Sequence, residues 1–205
     1  MNLEILLSFV FAVFALAISP GPDNIFVLVQ SLRFGKKYGL ATVLGLMTGC
    51  LIHTSLVAFG VSLLIMNNEI LFTALKLFGA GYLLYLAFKV YQSPAEIDLN
   101  AAEASPKTTF QLFQQGFVMN VLNPKVSLFF LALFPGFLFS DSIPTTYQFI
   151  ILGAVFILVS FLVFSSIAML SASLKVYIER YKNAGNFLKW LQIMVFVGIA
   201  MFILF

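Results

Sequence analysis

Asp23 and Lys125 are the charged residues whose settings carry the most chemistry, because each directly follows a proline inside a long apolar run. Their motifs, Ser19-Pro20-Gly21-Pro22-Asp23-Asn24 and Asn123-Pro124-Lys125, occur once in each half of the chain. An acid and a base at hydrophobic depth can hold the ammonium and the carboxylate of a zwitterion, or take up a proton in turn. A charge at mid-membrane costs about 2.5–3.5 kcal/mol on insertion scales, whereas a helix end returns about 0.3–1 and at best ~2 kcal/mol to a carboxylate. The helix dipole alone therefore does not hold Asp23 ionised, and at a helix N-terminus it opposes Lys125. Both residues are expected to face a polar, partly hydrated cavity, close enough to pair with each other or with a zwitterionic ligand. The alternative for Asp23 is a protonated carboxyl.

The prolines dictate how the backbone presents these charges. Pro20 and Pro22 each remove a backbone donor and disfavour helix in the residue before them, while Gly21 permits the torsions of a break. An unbroken helix over residues 3–32 would be about 45 Å long and would need a tilt of about 50° to fit ~30 Å of hydrocarbon, beyond the usual range. Helix is expected to stop near Ser19 and restart near Pro22, with Asp23 facing the positive end of the new segment. Asn123, Pro124 and Lys125 repeat the scheme as cap, proline and charge. One displacement along the chain carries Pro22 onto Pro124 and Asp23 onto Lys125, so opposite charges occupy equivalent places.

Composition identifies the surrounding medium. Of 205 residues, 61% are hydrophobic and 9% charged, with a mean hydropathy of +1.05, as expected of an all-α polytopic membrane protein and not of a soluble domain. The net charge of +3 comes from a few Lys and Arg residues clustered near the ends of apolar segments, with no long basic tract or zinc spacing, which argues against nucleic-acid binding. Cys50 is the only cysteine, which excludes an intramolecular disulfide and a paired thiol redox site. The N-terminal run ends in Ala15-Leu16-Ala17 like a signal peptide, but Glu4 stands where a basic segment belongs, so it is read as a retained first helix.

Six stretches are long and apolar enough to span a bilayer, around 3–32, 39–66, 69–91, 110–139, 145–174 and 186–205. The polar stretch 93–108 reads as a cytoplasmic linker between a three-helix repeat over 1–92 and another over 109–205. Basic residues gather after span 1 (Arg33, Lys36, Lys37), around the linker (Lys89, Lys107) and between spans 5 and 6 (Lys175, Arg180, Lys182, Lys189). The positive-inside rule puts these loops in the cytoplasm and both termini outside. Because each half has an odd number of spans, the second enters the membrane in the opposite sense, giving two inverted repeats with helices 1 and 4 broken.

The chain resembles the LysE/RhtB family of amino-acid exporters in three ordered elements. These are Pro20-Gly21-Pro22, the run Leu75-Lys76-Leu77-Phe78-Gly79-Ala80-Gly81-Tyr82-Leu83-Leu84-Tyr85-Leu86, and Gly116-Phe117 through Asn123-Pro124-Lys125. Ala87 stands where many relatives have glycine, a departure that touches packing. The resemblance covers essentially the whole chain and implies a secondary transporter in a bacterial-type inner (plasma) membrane. It would export small amino acids or derivatives, neutral and homoserine-, threonine- or leucine-like, by proton antiport. No enzyme activity, cofactor or metal is expected. The partners would be the substrate, protons, the bilayer and, at this small size, a second copy of the chain.

The expected substrate site comprises Pro20, Gly21, Pro22, Asp23, Asn24, Asn120, Asn123, Pro124 and Lys125. N–H groups after Gly21 and Asn123, with Lys125, would take a substrate carboxylate, and Asp23 the ammonium or a proton. A structural salt bridge between Asp23 and Lys125 is the competing reading. His53, beside Thr54 and Ser55 in span 2, is a proton-coupling candidate with Asp23, or else a hydrogen-bonded interhelical contact. Lys76 reads as a snorkelling or anchoring lysine. Gly45, Gly49, Gly79 and Gly81 read as close-packing positions, and the phenylalanines of span 4 as packing or lipid-facing residues. An intramembrane enzyme would need a nucleophile and base, paired carboxylates or a metal cluster, and none is present in the spans. The remaining alternatives are a passive channel or a transporter of another small zwitterionic or ionic solute.

Overall fold

A computed structural model describes residues 2–61, 69–94, 108–180 and 183–204. Most of the linker, 95–107, and the side chain of Lys76 lie outside the described residues. Among those described the chain is helical, with α1 (Leu3–Ile18), α2 (Pro22–Phe34), α3 (Lys36–Ser55), α4 (Glu69–Gln92), α5 (Thr109–Val121), α6 (Pro124–Leu128), α7 (Thr145–Met169), α8 (Ser171–Arg180) and α9 (Ala184–Leu204).

The breaks fall where the prolines require them. α1 stops at Ile18, α2 restarts on Pro22 after three residues, and the two axes differ by 58°. α5 and α6 are parted by Leu122 and Asn123, and the second segment leaves at 47°. Taken as one span each, these bent pairs join α3 with its extension and α7 as helices long and apolar enough to cross a membrane; the chain is a multi-pass membrane protein.

Three features depart from the expected spans. α6 runs on into a π-helical turn, Phe129–Leu133, and a 3-10 turn, Phe134–Phe137. Pro135 removes the donor that would bond Leu131, so a regular α-helix to residue 139 is not available. α3 likewise opens into a π-helical stretch at Leu56–Val61. The fifth span ends at Met169, not 174, because Leu170 leaves helical geometry (φ −95°, ψ 10°) and α8 begins on Ser171 as a separate short helix.

Small residues set the helix separations. α3 packs along α5, and a Cβ built on Gly45 would collide with the Phe113 carbonyl, one on Gly116 with the Thr42 carbonyl. Each glycine thus admits the other helix's backbone. Gly49 receives the Asn120 side chain, and Gly79 faces Ala132. Gly81 does not follow this pattern: it is exposed with open space around it, so the expected packing role is restricted to Gly79.

The expected phenylalanine crowd forms much of the core. Phe129, Phe130, Phe134 and Phe137 are buried, and Phe9 of α1 sets its ring edge-on to Phe134 at 5.2 Å and Phe137 at 5.1 Å. Such pairs add about 0.5–1.5 kcal/mol each beyond the area they bury. Buried Gln148 fastens the preceding loop. Its Oε1 accepts from the backbone N–H groups of Phe139 and Ser140, and its Nε2 donates to the carbonyls of Ser140 and Ile143.

Candidate functional site

A broken helix leaves carbonyls without their usual donors, and at apolar depth each must find another. Leu16 would ordinarily bond the N–H of residue 20, but that residue is Pro20. The Lys125 ammonium takes the place, donating to Leu16 O at 3.1 Å and to Ser19 O at 3.2 Å. Asn24 Nδ2 donates to Ala17 O at 2.7 Å, and Ser19 N to Ala15 O at 3.1 Å. The carbonyl end of α1 is thus closed by side chains, one of them from the opposite half of the sequence.

The second break is treated in the same manner. Asn120 would bond the N–H of residue 124, which is Pro124. Its carbonyl accepts instead from Asn123 N at 3.0 Å and contacts His53 Nε2 at 3.2 Å. A carbonyl oxygen only accepts, so His53 must carry hydrogen on Nε2. Its ring also lies 5.4 Å from Phe130. His53 is buried at the α3–α5 contact, behind Asn120.

Asp23 and Lys125 approach without forming an ion pair. Asp23, buried in the first turn of α2, accepts from Asn123 Nδ2 at 2.8 Å. Lys125 is the second residue of α6, at an unfavourable helix N-terminus, but its stem carries the ammonium to the negative end of α1, where backbone dipole and carbonyls favour a cation. It also lies 5.3 Å from the centroid of the Phe196 ring on α9. The dipole opposition expected from sequence therefore applies to the Lys125 backbone and not to its charge.

The two helix N-termini differ. Asn123 Oδ1 accepts from Lys125 N at 3.0 Å, and the Asn123 carbonyl accepts from Val126 N and Ser127 N. The N–H groups after Asn123, expected to meet a ligand, are engaged within the chain. Gly21 has no side chain with which to cap α2, and a Cβ placed there would be 3.6 Å from Lys125 Nζ. The ammonium thus hangs over an uncapped helix N-terminus, which favours an anion between them.

Between the breaks lies a cavity of about 30 Å³. Gly21, Pro22, Asp23, Asn24, Asn120, Asn123 and Lys125 of the expected set line it; Pro20 and Pro124 shape the breaks without lining it, and His53 stands outside. Sequence reading missed Cys50, whose Sγ contacts Asn120 Oδ1 at 3.6 Å, and Ser160, Phe156 and Phe164 of α7. Their only signal in sequence was a position on an apolar helix.

The model of the family described as LysE type translocator matches residues 14–205. The chain belongs to that family. This LysE-type chain is 33% identical over 168 residues to a homoserine/homoserine lactone efflux protein of Salmonella typhi, covering 82% of this chain and 81% of the relative. The Salmonella typhimurium protein of the same description is 32% identical over the same coverage. The membrane protein YrhP of Bacillus subtilis is 35% identical over 131 residues, 60% of this chain and 62% of that one. No solved structure matches. Members of the LysE family are transporters, so this chain is an exporter-type membrane protein acting on a small molecule, and not an enzyme.

Proposed function

We propose that the protein exports small neutral amino acids or their derivatives, homoserine-, threonine- or leucine-like, from the cytoplasm by proton antiport. The observation that carries this reading is the convergence of Asp23, Asn123 and Lys125 on one cavity between two helix breaks. The carboxylate of a zwitterion would lie between Lys125 and the open N–H groups of α2, its ammonium against Asp23. Asn24, Asn120 and Asn123 would orient it, while Pro20, Pro22 and Pro124 keep the backbone open. Proton and substrate would compete for Asp23, so that one site exposed alternately to each side performs exchange. His53 is the second proton-coupling residue, one contact away through Asn120. The homoserine efflux activity in the names of the Salmonella relatives supports the substrate class.

The frame for this cycle would be six spans in two inverted repeats, 1–92 and 109–205, joined by a cytoplasmic linker over 93–108. Both termini would lie outside a bacterial-type plasma membrane. Exchanging spans 1 with 4, 2 with 5 and 3 with 6 turns the α3–α5 contact into the α7–α1 contact and returns α3–α7 and α4–α9 to themselves; all four pairings occur. That correspondence supports the repeat, although the α2–α3 contact has no α6–α7 counterpart of comparable extent among the described residues. A cavity of about 30 Å³ admits a water or two and is far below the ~300 Å³ of small-molecule sites, so loading requires the lining helices to part. This favours a carrier over an open pore.

The test is counterflow. Vesicles preloaded with unlabelled homoserine should take up labelled homoserine faster than empty ones, and an imposed pH gradient should drive accumulation. Equal rates with and without preloading would leave a channel; indifference to the gradient would remove antiport.

A further inference from the structure

The serine and threonine hydroxyls of these helices fold back on the carbonyl four residues earlier. Ser31 donates to Val27 O, Thr48 to Leu44 O, Thr54 to Cys50 O and, on α7, Ser166 to Leu162 O at 2.7 Å. That is the ordinary resolution for a hydroxyl at apolar depth. Ser160, on the same α7, departs from it. The residue is 1% exposed, its Oγ has no hydrogen-bond partner, and it lines the cavity between the breaks. The hydroxyls of Ser19 and Ser165 also lack partners, but neither residue lines this cavity.

The neighbours of Ser160 define a chemistry. Phe156 and Phe164 stand one turn before and after it on the same face of α7, and both line the cavity with Met47 and Val126. This wall is apolar with a single hydroxyl in it, while Asp23 and Lys125 contribute the opposite charges to the same cavity. We propose that Ser160, Phe156 and Phe164 form the side-chain subsite of the transporter and select short aliphatic side chains that carry one hydroxyl or carbonyl oxygen. The inference rests on the amino-acid export reading and adds its specificity. The charged residues hold the groups common to every amino acid. Ser160 bonds the group that distinguishes homoserine from 2-aminobutyrate, which has the same carbon chain without the hydroxyl. A hydroxyl left unpartnered in a buried wall also penalises a purely apolar substrate, which would keep it unsatisfied.

The experiment compares wild type and Ser160→Ala, each purified at full length and reconstituted into liposomes, with labelled homoserine and labelled 2-aminobutyrate. Ser160→Ala should lower homoserine transport efficiency about 3- to 10-fold, the loss of one neutral hydrogen bond, and leave 2-aminobutyrate unchanged or improved. Its melting temperature in detergent should equal or exceed that of wild type, since no intramolecular bond is lost. Equal losses for both substrates, no loss for either, or a lowered melting temperature would each overturn the subsite. Transport of neither amino acid by wild type would instead overturn the export reading on which it stands.

Discussion

Asn123 Nδ2 donates a 2.8 Å hydrogen bond to Asp23 Oδ2, tying the first residues of α6 to the first turn of α2 across the two halves of the chain. The same asparagine caps α6 through its Oδ1. One side chain therefore sets the start of one broken helix and the orientation of the acid on the other. Asn123→Ala removes both bonds. A lost cap is worth about 0.5–2 kcal/mol and a hydrogen bond to a charged group about 1.5–3 kcal/mol. The variant is expected to melt several degrees lower in detergent and to lose most transport; wild-type melting would show that neither bond matters.

Asp23→Asn keeps the shape of the side chain and an oxygen to accept from Asn123, so the protein should remain folded in the membrane. It cannot exchange a proton. Uptake into inverted vesicles under an imposed pH gradient is expected to vanish, and undiminished gradient-driven uptake would end the proposed role of Asp23.

Lys125→Met preserves most of the stem but withdraws the donor from Leu16 O and Ser19 O. Two carbonyls at the end of α1 then lack their partner, and the variant should lose on the order of 1–3 kcal/mol of stability. If the ammonium also meets the substrate, export of amino acids with a free carboxylate should fall more than export of their amides. Equal losses would assign Lys125 to the helix break alone.

His53→Gln provides an amide that can still donate to the Asn120 carbonyl but does not titrate. Counterflow should survive while gradient-driven transport slows. Wild-type behaviour in both assays would leave His53 as an interhelical contact that satisfies a carbonyl orphaned by Pro124.

Gly45→Leu tests the close approach of α3 and α5. Even a Cβ at this position would meet the Phe113 carbonyl, so the helices must separate, and overpacking of this kind costs about 1–3 kcal/mol or more. A marked fall in folded yield and melting temperature is expected. Gly81→Leu, in open space, should change neither.

The sequence alone determined where the helices break and which charges stand at the breaks. Proline acts on its own neighbours: it lacks an N–H and excludes helix before it, so the ends at Ile18 and Val121 and the restarts at Pro22 and Pro124 follow from local covalent chemistry. The packing of Gly45 and Gly49 was legible for a related reason, since a missing side chain admits a neighbouring helix; that Gly116 answers Gly45 from α5 was not read from the sequence. Pro135 carried the same local signal, but the expected span ran through it to residue 139, and the π-helical and 3-10 turns after Leu128 came as a departure.

Only the tertiary structure decided what each orphaned group meets. Lys125 bonds the carbonyls of α1 instead of the Asp23 carboxylate, His53 contacts the Asn120 carbonyl, and α6 is capped by the Asn123 side chain while α2 has no side-chain cap. Ser160 faces the cavity with its hydroxyl unpartnered. A break fixes how many donors and acceptors are freed, because that depends on residues four apart. Which side chains satisfy them depends on helices far away in sequence, whose approach is set by packing.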